Sequence, residues 1–408
     1  MTDAADLVLL DGEIHTLTDP DRTHEAIAVQ DGEIVRLGSS YDVEFLAGTD
    51  TTVVDLDGRV LLPGFIDAHT SLSTVGRRLV GTDPSTASGR SEMRESVTAA
   101  IADANANGIT GVHDVVRGAD APRIYRDLDV AGELTVRVRL TYRTDLLDAL
   151  VEAGLPTNAG SEFVRVGAIT SATDANFEGR SAESADSSAE STDFSTELAD
   201  HVAEATARGY QFAAPATDQV AIDAILDVYE DDTSDGTVPV ASHVSGGSRH
   251  RIEHAGRADE ETIDRIAAMN VVASVRPNAL EWDGEKEHAD PRTDDRREVA
   301  NPYRAFLDAG VPLAFGSGGT PMDPLVGVHW AVNAPNRSQR LDVTEALRGY
   351  TLGSAYAGFD EDRLGTIELG KRADLVALAD SPWENPESIR EIDADLTIVD
   401  GEIVYDRR

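Results

Sequence analysis

Leu62-Pro63-Gly64-Phe65-Ile66-Asp67-Ala68-His69 is the stretch whose reading decides the architecture. It is an apolar run closing on a carboxylate and an imidazole, as in a buried strand whose end carries polar groups. Outward from it, the middle of the chain repeats one rhythm. Short apolar runs at 60–66, 111–113, 135–140, 163–167, 211–214, 251–254, 271–275 and 312–315 predict strands. Helical patterns at 92–105, 122–131, 146–152, 196–207, 218–229, 260–268, 302–308 and 343–356 separate them. Eight such units over about 300 residues have the size of a closed parallel barrel. A doubly wound open sheet is the alternative, but no glycine-rich phosphate loop follows a strand where it would be needed.

The ends of the chain read differently. Asp6 to Leu10 is apolar, Asp11-Gly12 offers a hairpin turn, and Glu13 to Leu17 alternates. Asp-Gly-Glu-Ile starts at Asp11 and returns at Asp31 and Asp400, the last within a strand-like C-terminal stretch. Three copies in strand context predict one small β domain assembled from both termini. The expected fold is therefore α/β: a TIM-type (β/α)8 barrel over 61–360, with a small β-sandwich from 1–60 and 361–408. Residues 171–195, rich in Ser, Ala, Asp and Glu, are expected to be a mobile loop after the fourth strand.

Composition bounds the function. The 408 residues are 41% hydrophobic, enough for a sizeable core, and include no cysteine. Disulfides, thiolate nucleophiles and cysteine–zinc sites are thereby excluded. No apolar run reaches membrane-span length and no basic, then apolar, leader opens the chain, so a cytoplasmic location is expected. With 75 acidic against 35 basic residues, the formal charge of −40 disfavours nucleic acid and anionic membranes as partners. Only Lys286 and Lys371 are lysine; such an arginine-biased acidic chain resembles proteins of salt-loaded cytosol, and a halophilic protein is expected.

Read in order, the strand ends resemble one family. The stretch ending at His69 is similar to the first-strand signature of amidohydrolases, which continues as His-x-His. Gly108-Ile109-Thr110-Gly111-Val112-His113-Asp114 and Arg249-His250-Arg251-Ile252-Glu253-His254-Ala255 resemble the second and sixth strands of the subgroup containing N-substituted formamide deformylases. The return to the β domain, Gly365-Thr366-Ile367-Glu368-Leu369-Gly370-Lys371-Arg372-Ala373-Asp374, is similar across the superfamily. The resemblance covers nearly the whole chain. It implies a hydrolase of amide-type C–N bonds built around one or two divalent metals, with zinc the candidate ion and a small molecule the substrate or ligand. Homo-oligomerisation is a habit of the family.

Against that pattern this sequence departs repeatedly. The first-strand pair reads His69-Thr70-Ser71; the fourth strand reads Val164-Arg165-Val166 where relatives place a carboxylated lysine; the fifth strand has no histidine. The eighth strand carries Gly318 where relatives carry an aspartate that is both ligand and proton shuttle. No carboxylated lysine is expected. His69 and His254 are left as the metal candidates, and His69, His113, Arg165 and His254 as ligand-binding groups in the barrel mouth. Arg165 is expected to pair with Glu253, Asp114 or an anionic ligand, and one of Arg249 and Arg251 to face the pocket. No catalytic residue is assigned. The function expected is a C–N hydrolase with an impaired or absent metal centre; the alternative is a catalytically silent barrel that binds a small ligand or a partner subunit.

Overall fold

The structure is a computed structural model that describes residues 4–82, 89–116, 118, 120–171, 188–216, 219–234, 248–280, 301–319 and 321–408. Eight parallel strands form one sheet in chain order: β1 (Phe65–Thr70), β2 (Ile109–Val115), β3 (Arg137–Arg143), β4 (Val164–Thr170), β5 (Phe212–Pro215), β6 (Arg251–Glu253), β7 (Val272–Val275) and β8 (Leu313–Phe315). First and last strands meet just past β8, where the Gly318 N–H donates to the His69 carbonyl at 2.9 Å. A Cβ on Gly316 would lie 2.6 Å from the His69 nitrogen, so closure there requires glycine. The fold is a TIM-type barrel.

Helices cover the sheet by ordinary amphipathic spacing. The helix Arg90–Ala106 buries Val97, Ala100, Ile101 and Ala104, an i, i+3, i+4, i+7 stripe. Its stripe joins the core shared with Ile109, Val112, Val136 and Val138. Residues 172–187 of the acidic stretch lie outside the described residues, as does Lys286. The helix Ser188–Ala207 begins earlier than the pattern from Thr196 suggests, so the last residues of that stretch are helical rather than loop. Among the described residues no helix is long and apolar enough to cross a membrane.

Both termini build the small domain, a four-stranded sheet packed on a six-stranded one. Leu7, Leu9, Ile27 and Val29 of one meet Leu61, Leu375, Leu396 and Ile398 of the other in a common core. Asp31-Gly32 and Asp400-Gly401 are two-residue hairpin turns with every φ positive, between 51° and 82°. The two turns touch: a Cβ on Gly401 would lie 3.1 Å from the Gly32 Cα. The copy at Asp11-Gly12 is not a hairpin. Its flanking strands, Ala5–Leu10 and Glu13–His15, belong to different sheets, and Gly12 lets the crossing chain pass against Leu56.

The opening stretch also divides. Val60–Pro63 pairs with Leu375–Leu378 and Glu13–His15 in the terminal sheet, and only from Phe65 does the chain enter the barrel. The switch falls at Gly64, where a Cβ would overlap Thr110. Arg137, at the start of β3, clamps barrel to sandwich through Asp374 (2.7 and 2.9 Å) and Asp400 (2.7 Å).

Candidate functional site

Functional groups of a parallel barrel stand where strands end, so position along each strand decides which residues reach the mouth. Arg165 does not reach it. β4 runs through Gly167 to Thr170, which leaves Arg165 second in a seven-residue strand, at the opposite end. Gly167 lies inside this strand, where a Cβ would come 3.2 Å from the Leu140 carbonyl of the adjacent β3. The Arg165 guanidinium donates to the Ser161 carbonyl and Asn158 and pairs with Asp360 and Glu162. Neither Glu253 nor Asp114 is its partner. This corrects the expectation from sequence, which placed Arg165 in the mouth.

His113 is also corrected. It is buried inside the barrel, with Nδ1 2.7 Å from Arg251 Nη1. Nε2 faces the barrel floor, where a Cβ on Gly358 would lie 2.8 Å away. Burial, then the charges of Arg251 and Arg139, push this imidazole far below its ordinary value. It is neutral, and since Nδ1 accepts from Arg251, its proton is on Nε2.

What fills the barrel interior is a run of charge. Arg139 donates to Asp360 at 2.6 Å near the floor. Arg251 then binds His113, the Ala68 carbonyl (2.7 Å) and Glu253 (2.7 Å). Glu253 accepts in turn from Ser274 Oγ at 2.6 Å and faces His69 Nδ1 at 3.0 Å. Burial alone would raise the Glu253 carboxyl; Arg251, then His69 and Ser274, hold it well below the usual carboxylate range. Of the two arginines flanking β6, Arg251 is therefore the interior one. Arg249 stacks on Tyr356, its guanidinium carbon 3.9 Å from the ring centroid, and pairs with Glu361.

Above this run lie His69 and His254, ring centroids 4.7 Å apart and edge-on. His254 follows β6 in a left-handed conformation, φ 65°, which turns its ring out of the strand. Its Nδ1 is sealed from solvent and has no hydrogen-bond partner. Burial, then the charge of Arg276, lowers its pKa far below the ordinary value. Ser71, second of the His-x-Ser pair, is turned toward Thr74, hydroxyl to hydroxyl at 3.0 Å. Asp67 accepts from the His69 N–H (3.1 Å), the Ser317 N–H (3.0 Å) and the Ser317 hydroxyl, so it ties β1 to the chain after β8. Burial raises its carboxyl to about 6.

Arg276 escaped the sequence reading, although it is the residue immediately after β7 and the strand-end rule would have found it. Its Cδ and Nη1 each lie 3.0 Å from where a Cβ of Gly318 would stand. Among the described residues no three His, Asp or Glu side chains gather as a metal-holding group.

The profile of the Amidohydrolase family matches residues 77–405. The chain belongs to that family. This amidohydrolase-family chain is 26% identical over 339 residues to putative amidohydrolase YtcJ of Bacillus subtilis, covering 77% of its own length and 61% of that protein. Against the N-substituted formamide deformylase of Arthrobacter pascens, the match is 26% identical over 328 residues, with 74% and 58% covered. It thus spans less than two thirds of either relative. An uncharacterized metal-dependent hydrolase from Pyrococcus furiosus superposes with a TM-score of 0.76 at 18% identity, covering 92% of this chain and 99% of that one, which is a likeness of fold.

Proposed function

We propose that this amidohydrolase-family barrel acts on a small molecule with an amide-type C–N bond, and that the metal centre of the family is impaired or absent. The observation that supports this reading is that Glu253, the carboxylate beside His69, is spent within the barrel on Arg251 and Ser274. A catalytic zinc takes three or four N and O ligands with one position open, and at least one is commonly a third imidazole or a carboxylate. His69 and His254 alone do not fit that demand. One nitrogen of His69 faces Glu253, and Glu253 is itself engaged by Arg251 and Ser274.

Residual chemistry in such a site rests on His69, its ring oriented through Nδ1 by Glu253, leaving Nε2 to take or give a proton. A second reading, a catalytically silent barrel that binds a ligand or partner, is favoured by the ion-pair run that fills the interior with structural charge. A cytoplasmic, salt-adapted protein that binds neither nucleic acid nor membrane is the setting we infer from the charge. Elemental analysis of purified protein tests the metal reading: well under one equivalent of zinc is expected, with no gain in amide hydrolysis on adding it. Stoichiometric metal with metal-stimulated turnover overturns the reading. Turnover by metal-free protein separates the enzyme from the silent barrel.

A further inference from the structure

We propose that the barrel floor holds a binding site for a small tetrahedral oxyanion of the phosphate type, between the guanidiniums of Arg165 and Arg363. The site lies at the end of the barrel opposite the mouth, so it goes beyond the reading above and does not rest on it. Three arginines meet there on two carboxylates. Arg139 takes one oxygen of Asp360, with Nε 2.6 Å and Nη2 2.5 Å from Oδ2. The other oxygen is left to two guanidiniums at once: Arg165 Nη1 and Arg363 Nη1 each stand 3.5 Å from Asp360 Oδ1. Well-formed N–H···O contacts fall at about 2.7–3.2 Å, so this oxygen serves neither arginine well.

Neither guanidinium is unpaired; their remaining partners are neutral or exposed. Arg165 donates to the Ser161 carbonyl at 2.9 Å and to Asn158 at 3.3 Å, both uncharged. The second carboxylate, Glu162, is also shared: Oε1 lies 3.3 Å from Arg165 Nη2, and Oε2 meets Arg363 Nη2. Its side chain is 58% exposed, and an ion pair so open to water contributes little. Arg165 and Arg363 are 17% and 24% exposed, sheltered yet within reach of an ion from solvent. Arg137, the next guanidinium on the floor, is matched by Asp374 and Asp400. The three arginines of the cluster thus exceed its carboxylates by one charge, in a chain whose net charge is −40. A tetrahedral oxyanion accepts from both guanidinium forks in paired hydrogen bonds, which the single Asp360 Oδ1 cannot do. It takes the place of Glu162 and ties β4 to the 360–363 segment on the way to the sandwich. The floor of such a barrel serves stability rather than chemistry, so the bound ion acts as a strut.

Equilibrium dialysis of the full chain against radiolabelled inorganic phosphate, at ionic strength fixed with KCl, tests the site. One phosphate per chain is expected, half-saturating at about 1 mM or below. Arg165→Gln and Arg363→Gln should each weaken binding about tenfold or more. Glu162→Gln removes the anion that competes for the same guanidiniums, and should tighten binding about threefold or more. Arg90→Gln, at an exposed arginine paired with Asp127 far from the floor in sequence, should leave binding unchanged. Thermal melting shows whether each variant is folded; if an arginine variant is not, the gain in Glu162→Gln decides. Half-saturation only above about 50 mM means an adventitious ion only and overturns the proposal. So does binding that is unchanged in both Arg165→Gln and Arg363→Gln, that falls equally in Arg90→Gln, or that fails to tighten in Glu162→Gln.

Discussion

Replacing Glu253 by glutamine removes one charge from the centre of the barrel without changing its shape. Arg251 is 2% exposed and Glu253 4%, so neither ion is relieved by water when the other is lost. Breaking a buried pair of this kind costs ~3–5 kcal/mol, because the remaining charge is left uncompensated. The lower end applies here, about 3 kcal/mol, since the amide oxygen of glutamine still accepts from Ser274 or Arg251. Equilibrium urea unfolding followed by circular dichroism, at fixed salt, measures it. The double variant Arg251→Met/Glu253→Gln should recover at least half of the loss, because exchanging both ions for uncharged side chains removes the desolvation penalty. A pH series adds a signature. With its folded value depressed, Glu253 contributes stability that is present above its ordinary 4.5 and lost as pH falls toward the folded value. The gap between parent and Glu253→Gln should therefore narrow below that pH. A single variant costing under about 1 kcal/mol, or a double variant no better than the single, would refute the claim that the interior is held by paired charge.

Other outcomes follow from the same structure. Arg137→Ala leaves Asp374 buried beneath the barrel, and urea unfolding should register a loss of ~3–5 kcal/mol; a loss below 1 would show that barrel and sandwich do not depend on this clamp. Asp323 caps the helix Pro324–Val332 through the Leu325 N–H, and burial raises its carboxyl from 3.8 to about 6. A raised value favours folding below 3.8 and loses that advantage as pH rises through about 6, so Asp323→Asn, which keeps the cap, should gain on the parent by at most about 3 kcal/mol at pH 8. An equal pH dependence in both proteins contradicts this. With a net charge of −40, the melting temperature should climb as KCl rises from about 0.1 to 2 M, and a flat or falling curve argues against salt adaptation.

Much of the fold was legible because periodicity is local. The eight apolar runs fall on or beside the eight barrel strands, and Asp31-Gly32 and Asp400-Gly401 form the turns their residue types demand. Errors came where a glycine served tertiary contact instead of punctuation. Gly64 marks a change of sheet inside one apolar run, and Gly12 carries a crossing chain past Leu56. Arg165 was placed in the mouth because it was set at the fourth-strand position where relatives carry a carboxylated lysine, in a strand read over 163–167; β4 runs on to Thr170 and leaves Arg165 near the floor. Arg276 went unread for another reason: the resemblance assigns no group to the seventh strand, and Gly318, beside which it lies, is forty-two residues on.

By itself the sequence determined the family and the barrel with its two-ended β domain. Those are properties of residue type and spacing, which no folding step can alter. Which charge meets which was decided only by the closed barrel. Arg251 faces Glu253 and His113, and Arg165 faces Asp360, because strand register sets height and alternation sets side. Arg165 lies five residues before Thr170, the mouth end of β4, and hydropathy alone does not measure that distance.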